Sequence, residues 1–357
     1  MRLGVTAALV DGALLPGDVE LEDGVVTGLG LERAPSASGI AAPGFVDLQV
    51  NGFAGVDLQA TDADGFRHVG EALLRTGVTA YRPAFVTAPE DDLVAALRSL
   101  PAASSGARIL GAHLEGPFIA ATRLGAHDPA GRRDPDLELL GRLLDAGPVR
   151  QMTLAPELPG AAALIAALRA RGVTVACGHS EASAAAAAEA FDAGAETVTH
   201  LFNAMPKQGG LAEAALARGD VTVQVIVDGH HVPADQVMRA WDSAAGRLAL
   251  VSDAVAAAGI GDGEFSLGSV RVRAQEGVVR TPDGVLAGST LTMRDAVANL
   301  HGLGVGLAAA LTAATTVPAR IAGVPRLGRL AVGEPADVIV LDDRLEVRRV
   351  LPRQLRR

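Results

Sequence analysis

Four short stretches each place a metal-binding or acid–base residue directly after an apolar run: Glu115 in HLEGP, His179 in CGHS, His200 in THLFNAMP and Asp253 in VSDA. Two imidazoles and two carboxylates are the donor inventory of a hydrolytic, zinc-type centre with one position open for water. Taken singly, a histidine at a strand end is more often a hydrogen-bonded structural residue. Four such groups behind apolar runs need a common partner, because burying each one unpaired is expensive, and a cation is the simplest partner. A fifth stretch, PGFVDLQVNG, brings two amides, Gln49 and Asn51, to an equivalent place. Amides there can satisfy loop backbone groups or enter the site directly.

These residues converge only if a scaffold carries them. From residue 44 to about residue 324, strand-like runs alternate with helical segments: GFVDLQV, VTAYRPAF, RILGAHLEG, VRQMTLAPE, VTVACGHS, TVTHLFNA, VTVQVIVDG and LALVSDAV. Near-continuous β-branched runs between amphipathic helices indicate a parallel sheet covered on its faces. Eight units are the number that closes a (β/α)8 TIM-type barrel, with a doubly wound open sheet as the alternative. In a barrel the C-terminal strand ends share one mouth, and those ends carry the residues above.

Both chain ends read differently. DGALL, GDVELEDG and the closing LAVGEPADVIVLDDRLEVRRVL are short apolar runs broken by turn residues, which predicts hairpins. The expected organisation is a small β-sandwich built from residues 1–43 and 330–357, flanking a barrel over 44–329. One unit departs from the rhythm: between the eighth strand and a helix expected over 289–302, residues at about 262–287 read as an inserted hairpin placed to fold over the site.

Composition narrows the function classes. The chain has 357 residues, 49% of them hydrophobic, a formal charge of -10 and only 3% aromatics. That balance supports a sizeable core and excludes a nucleic-acid groove or an anionic membrane surface as partner, which leaves small molecules. The single cysteine, Cys177, excludes an intramolecular disulfide, and MRLGVTAALVDG lacks the features of a signal peptide, so a cytoplasmic protein is expected. Alanine-rich stretches such as EASAAAAAEAFDAGA are too short and too acidic to span a bilayer.

Over nearly the whole chain the motifs PGFVDLQVNG, HLEGPF, GAHDP, TLAPE, GHS, THLFNAMP, DGHHV, VSDA, LAGSTLTM and LGRLAVGEPADVIVLD resemble the amidohydrolase superfamily, and more closely its N-acetylglucosamine-6-phosphate deacetylases. HLEGP, THLFNAMP and LAGSTLTM in that order are specific to that branch. The resemblance implies a metal-bearing barrel with a terminal β-sandwich, hydrolysis of an acetamide, and a homodimer. Where the wider superfamily has two histidines on the first strand, Gln49 and Asn51 imply a single divalent ion, with Glu115, His179 and His200 as ligands. Zinc suits that set, as do iron, cobalt, manganese and nickel. By the same resemblance Asp253 is the general base, and His127 donates a hydrogen bond to the substrate carbonyl. Ala126, His127, Asn203, Ala204, Asp228, His231, Leu286, Ala287 and Gly288 hold the amino sugar, while His230 is structural.

One departure concerns the 6-phosphate. The resembled enzymes carry an arginine for it in a longer loop after THLFNAMP, commonly offered by the neighbouring subunit, whereas NAMPKQGGLAEAAL is shorter and has none. Lys207, the only lysine, and the pair Arg132 and Arg133 are the candidate replacements, arginine having the better fork for phosphate. An unphosphorylated or different N-acetylated metabolite is the alternative substrate, and a catalytically silent sugar-binding protein the alternative class.

Overall fold

The computed structural model describes residues 1–103 and 106–353; the last four residues of the expected 330–357 segment lie outside them. Eight parallel strands pair in sequence order around a (β/α)8 barrel: Phe45–Val50, Val78–Val86, Ala112–Glu115, Val149–Leu154, Thr174–Cys177, Thr197–Val198, Thr222–Val225 and Leu248–Leu250. Every residue of the first two is buried, including the polar Asp47, Gln49, Thr79 and Arg82, as expected of strands covered on both faces. The ring closes where Val50 bridges Ala254 in parallel, and the Asn51 N–H donates to the Ala254 carbonyl at 2.8 Å.

Helices follow the strands and turn one apolar stripe inward. Ala63–Arg75 buries Phe66, Val69 and Leu73, each contributing about 1.5–3 kcal/mol by leaving water. Its first turn is capped by the Asp62 carboxylate, which accepts from the Asp64 and Gly65 amides. Asp136, Ser183 and Thr292 cap Leu137–Ala146, Ala184–Ala193 and Met293–Gly302 in the same way.

The barrel lumen below the mouth is polar. The fully buried Arg82 donates to Gln151 Oε1 at 2.7 Å, His113 Nε2 lies 2.7 Å from Thr153 Oγ1, and that hydroxyl lies 2.7 Å from Thr199 Oγ1. Such a network costs little only because its members find partners.

The termini form a five-stranded sheet in the order Ala13–Pro16, Ala7–Val10, Ile40–Pro43, Val338–Leu341, Val347–Leu351, and a separate pair, Asp18–Glu22 with Val25–Leu31. A second core of Val5, Ala8, Val19, Val26, Ala41 and Val338 lies among them.

Several elements are shorter or more elaborate than their sequence suggests. The third run breaks into Arg108–Ile109 and Ala112–Glu115 at Gly111, whose φ of +82° is left-handed. The sixth strand is only Thr197–Val198, because His200, Phe202 and Ala204 all take positive φ and turn the chain away. The insertion is a four-stranded antiparallel sheet, Gly263–Leu267, Val270–Gln275, Val278–Arg280 and Leu286–Ser289, rather than one hairpin. Its last strand takes up the start of the expected helix, which begins instead at Met293 behind the Thr292 cap. No helix among the described residues is long and apolar enough to cross a membrane.

Candidate active site

Glu115 ends the third strand, while His179, His200 and Asp253 follow the fifth, sixth and eighth. The last three take φ of +50°, +27° and +51°, a region costly for residues with a side chain. A left-handed step at a strand end rotates the next side chain off the pleat and into the mouth. All four are buried.

Three donors meet. Glu115 Oε1 lies 3.0 Å from His179 Nε2 and 2.7 Å from His200 Nε2, and the two nitrogens are 3.2 Å apart. Metal–ligand bonds of about 2.0–2.1 Å at tetrahedral angles separate ligand atoms by roughly 3.3 Å, close to these edges. His179 Nδ1 lies 2.7 Å from the Arg123 carbonyl, to which it can only donate, so the neutral ring keeps a lone pair on Nε2. Despite burial, the imidazoles of His127, His179 and His200 around it hold the Glu115 carboxyl well below the ordinary carboxylate range. The donor set therefore fits one divalent cation.

The two amides of the first strand take separate posts. Gln49 Nε2 donates to Glu115 Oε2 at 3.1 Å, and Asn51 Nδ2 donates to Asp253 Oδ1 at 2.8 Å. Gln49 thus braces one carboxylate from behind, whereas Asn51 reaches the cavity wall beside the other. The Gln49 Oε1 and Asn51 Oδ1 atoms are buried without a hydrogen-bond partner among the described residues. Burial and the Glu115 charge push the Asp253 carboxyl up to about 6.

His127 comes from the loop after HLEGPF. The Thr87 amide, at the end of the second strand, points at its Nδ1 from 3.3 Å, and the Thr87 hydroxyl is 2.9 Å away. A backbone N–H cannot reverse, so Nδ1 is the acceptor and the neutral ring carries its proton on Nε2. Burial pushes His127 down to about 4, so the ring is neutral at pH 7. Its Nε2 lies 3.6 Å from Glu115 Oε2.

These groups line a cavity of about 290 Å³ together with Ala126, Asn203, Ala204, His231, Leu286 and Gly288. His231 is held by Asp228, whose carboxylate accepts from the His230 and His231 amides at 2.8 and 2.9 Å and lies 2.6 Å from His231 Nδ1. Against the effect of burial, those bonds bring Asp228 down to about 2. Asp228 itself stands behind the wall. His230 is exposed. The inserted sheet roofs the cavity with Leu267, Val285, Leu286 and Gly288. At Gly288, φ is +65° and a Cβ would come within 2.5 Å of Val255 and 2.8 Å of the Asp253 carbonyl, so the roof strand can approach the Asp253 backbone only without a side chain.

Besides Asp228, four expected contacts fall elsewhere. Ala287 alternates away from the cavity and packs with Val86, Val255 and Leu267. Arg132 donates to the Ile119 carbonyl at 3.0 Å and pairs with Asp134, and Arg133 folds back on the carbonyls of Ala130 and Arg132. Lys207 is exposed, and none of the three lines the cavity. Conversely, Thr122, Arg123, Gly125, Val86, Leu267 and Val285 line it without having been singled out. Thr87 was also overlooked, although a polar residue ending the run VTAYRPAFVT carries the signal that picked out Glu115.

The amidohydrolase family's sequence profile matches residues 40–353. An N-acetylgalactosamine-6-phosphate deacetylase of Escherichia coli O157:H7 is 36% identical over 323 residues, covering 87% of this chain and 86% of that protein. A human N-acetylglucosamine-6-phosphate deacetylase is 38% identical over 339 residues, covering 88% and 83%. Among solved structures, a mutant N-acetyl-D-glucosamine-6-phosphate deacetylase from Mycobacterium smegmatis, in complex with N-acetyl-D-glucosamine-6-phosphate, superposes with a TM-score of 0.90 at 35% identity, covering 99% and 98% of the two chains.

Proposed function

This chain belongs to the amidohydrolase family, and on that footing we propose that it hydrolyses the acetamide of N-acetylglucosamine 6-phosphate, giving glucosamine 6-phosphate and acetate. One observation carries the reading: a three-donor cluster fit for a cation shares one cavity with an acid–base carboxylate and a neutral imidazole N–H. The substrates named for the E. coli and human relatives support a phosphorylated N-acetylhexosamine.

Glu115, His179 and His200 would hold a divalent ion, zinc being one that suits two imidazoles and a carboxylate, which would supply Lewis acidity and lower the pKa of water toward neutrality. The protein residues do the rest. Asn51 fixes one Asp253 oxygen, leaving the other to take a proton from the attacking water. The water oxygen bonds to the acetyl carbon, and the C–N electron pair leaves with nitrogen. Asp253 then returns its proton to that nitrogen, without which an amine is a poor leaving group at neutral pH. The His127 Nε2–H donates to the carbonyl oxygen as negative charge develops there, a contribution worth most where water is excluded. His231, braced by Asp228, and the roof residues Leu286 and Gly288 position the sugar. A homodimer in the cytoplasm completes the reading, and sedimentation velocity checks the dimer.

The test is acetate release, with metal content measured on the same sample, from N-acetylglucosamine 6-phosphate, N-acetylgalactosamine 6-phosphate and unphosphorylated N-acetylglucosamine. Turnover of the first with strong preference over the third is expected. No acetate from either phosphorylated sugar, at full metal occupancy, overturns the assignment.

A further inference from the structure

The cavity has a cluster of negative charge, Glu115 and Asp253, and a single permanent cation among its described lining residues, Arg123. Its guanidinium is one-third exposed and grips the Glu181 carboxylate with two bonds, Nε to Oε1 at 2.6 Å and a terminal nitrogen to Oε2 at 3.1 Å. That fork is the geometry with which arginine grips phosphate. Its partner is expendable, because Glu181 is itself 41% exposed and so open an ion pair contributes little to stability. The backbone beneath it is fixed: the Arg123 amide donates to the Ala120 carbonyl at 3.0 Å, and the Arg123 carbonyl accepts from His179. The guanidinium is therefore carried on an anchor tied to the three-donor cluster.

We propose that Arg123 is the phosphate-binding residue of this chain, exchanging Glu181 for the phosphate monoester of the substrate. The inference rests on the function proposed above and adds the group that sets specificity. A phosphate dianion entering this cavity needs a permanent cation in the wall besides the divalent ion that Glu115, His179 and His200 would hold. Arg132, Arg133 and Lys207 stand outside that wall.

The experiment compares wild type, Arg123→Ala and Arg123→Lys on N-acetylglucosamine with and without the 6-phosphate. Metal content is checked in each, because Arg123 touches His179 through its backbone. Loss of a charge-assisted fork lowers the preference for the phosphorylated sugar about 10- to 100-fold in Arg123→Ala, chiefly through KM, and lysine restores part of it as a point charge. Calorimetric binding of glucosamine 6-phosphate weakens by a similar factor. A general loosening of the loop would depress both sugars alike and leave their ratio unmoved. If wild type prefers the phosphorylated sugar and Arg123→Ala keeps that preference to within about twofold, this inference alone is overturned. A wild type with no such preference overturns the substrate reading, and this inference with it.

Discussion

The seam that closes the barrel contains a buried carboxylate, Asp47, whose ionisation should be readable in stability. Asp47 accepts from the Ser252 hydroxyl at 2.5 Å, the Ser252 amide at 3.2 Å and the Gln49 amide at 3.3 Å. It thereby ties the first strand to the residue before Asp253. Burial outweighs those bonds and, with the nearby Asp253 charge, pushes its carboxyl up to about 7 from an ordinary 3.8. Between those values the native chain holds a proton that the unfolded chain has lost, so stability falls as pH rises, by up to about 1.36 kcal/mol per pH unit. The contribution is fully present below pH 3.8 and is lost as pH passes through 7. From pH 5 to pH 8 the loss attributable to Asp47 is about 2–3 kcal/mol. Wild type alone cannot reveal it, because His113 and His127, both pushed down to about 4 by burial, tilt stability the opposite way below pH 6.5. Asp47→Asn removes the Asp47 contribution while leaving the opposing contributions of His113 and His127 in place. Urea unfolding of both metal-free proteins at pH 5, 6, 7 and 8 should show wild type losing that increment relative to the variant. Parallel profiles would refute the reasoning, meaning that Asp47 is ionised in the folded protein throughout.

Three further outcomes are expected. Asp253→Asn should keep its metal while turnover falls by about 10³-fold or more, as measured by acetate release and metal analysis; retained activity removes Asp253 from proton transfer. His127→Ala should lower kcat by about 10²-fold with KM for the sugar little changed, since its N–H acts mainly on charge that develops in the transition state. A chelator should lower Tm, because an ion at a thousandfold its Kd stabilises the folded state by about 4 kcal/mol; His200→Ala should bind no stoichiometric metal and show no response to the chelator in the same thermal scan.

What could be read from the sequence follows from how each signal is encoded. Strand runs such as VTAYRPAFV were legible because burial on both faces leaves a largely apolar string rich in β-branched and aromatic residues. Glu115, His179, His200 and Asp253 stood out because a charged group after such a string has few inexpensive fates. Direction is not encoded so locally. Arg132 and Arg133 sit in the GAHDPAG loop near the mouth, yet a carbonyl of Ile119 and the side chain of Asp134 turn Arg132 aside. Arg123, in the same loop, reaches the cavity. Ala287 was misplaced for the same reason: its motif was legible, but the strand parity that hides it was not. The polar lumen of Arg82, Gln151, His113, Thr153 and Thr199 passed unnoticed because its members come from separate parts of the chain and meet only when the strands pair.

Asn51 and Asp253 are separated by 202 positions yet share a hydrogen bond, and they follow the first and last barrel strands. Closing so long a loop is a late and slow event in folding, because its entropy must be met before the contact rewards it. Glu115, His179 and His200, by contrast, come from strands three to six and can assemble in a partly built ring. On refolding, cation uptake should therefore precede acid–base competence, so that the enzyme's own turnover becomes a clock for the moment its ring shuts.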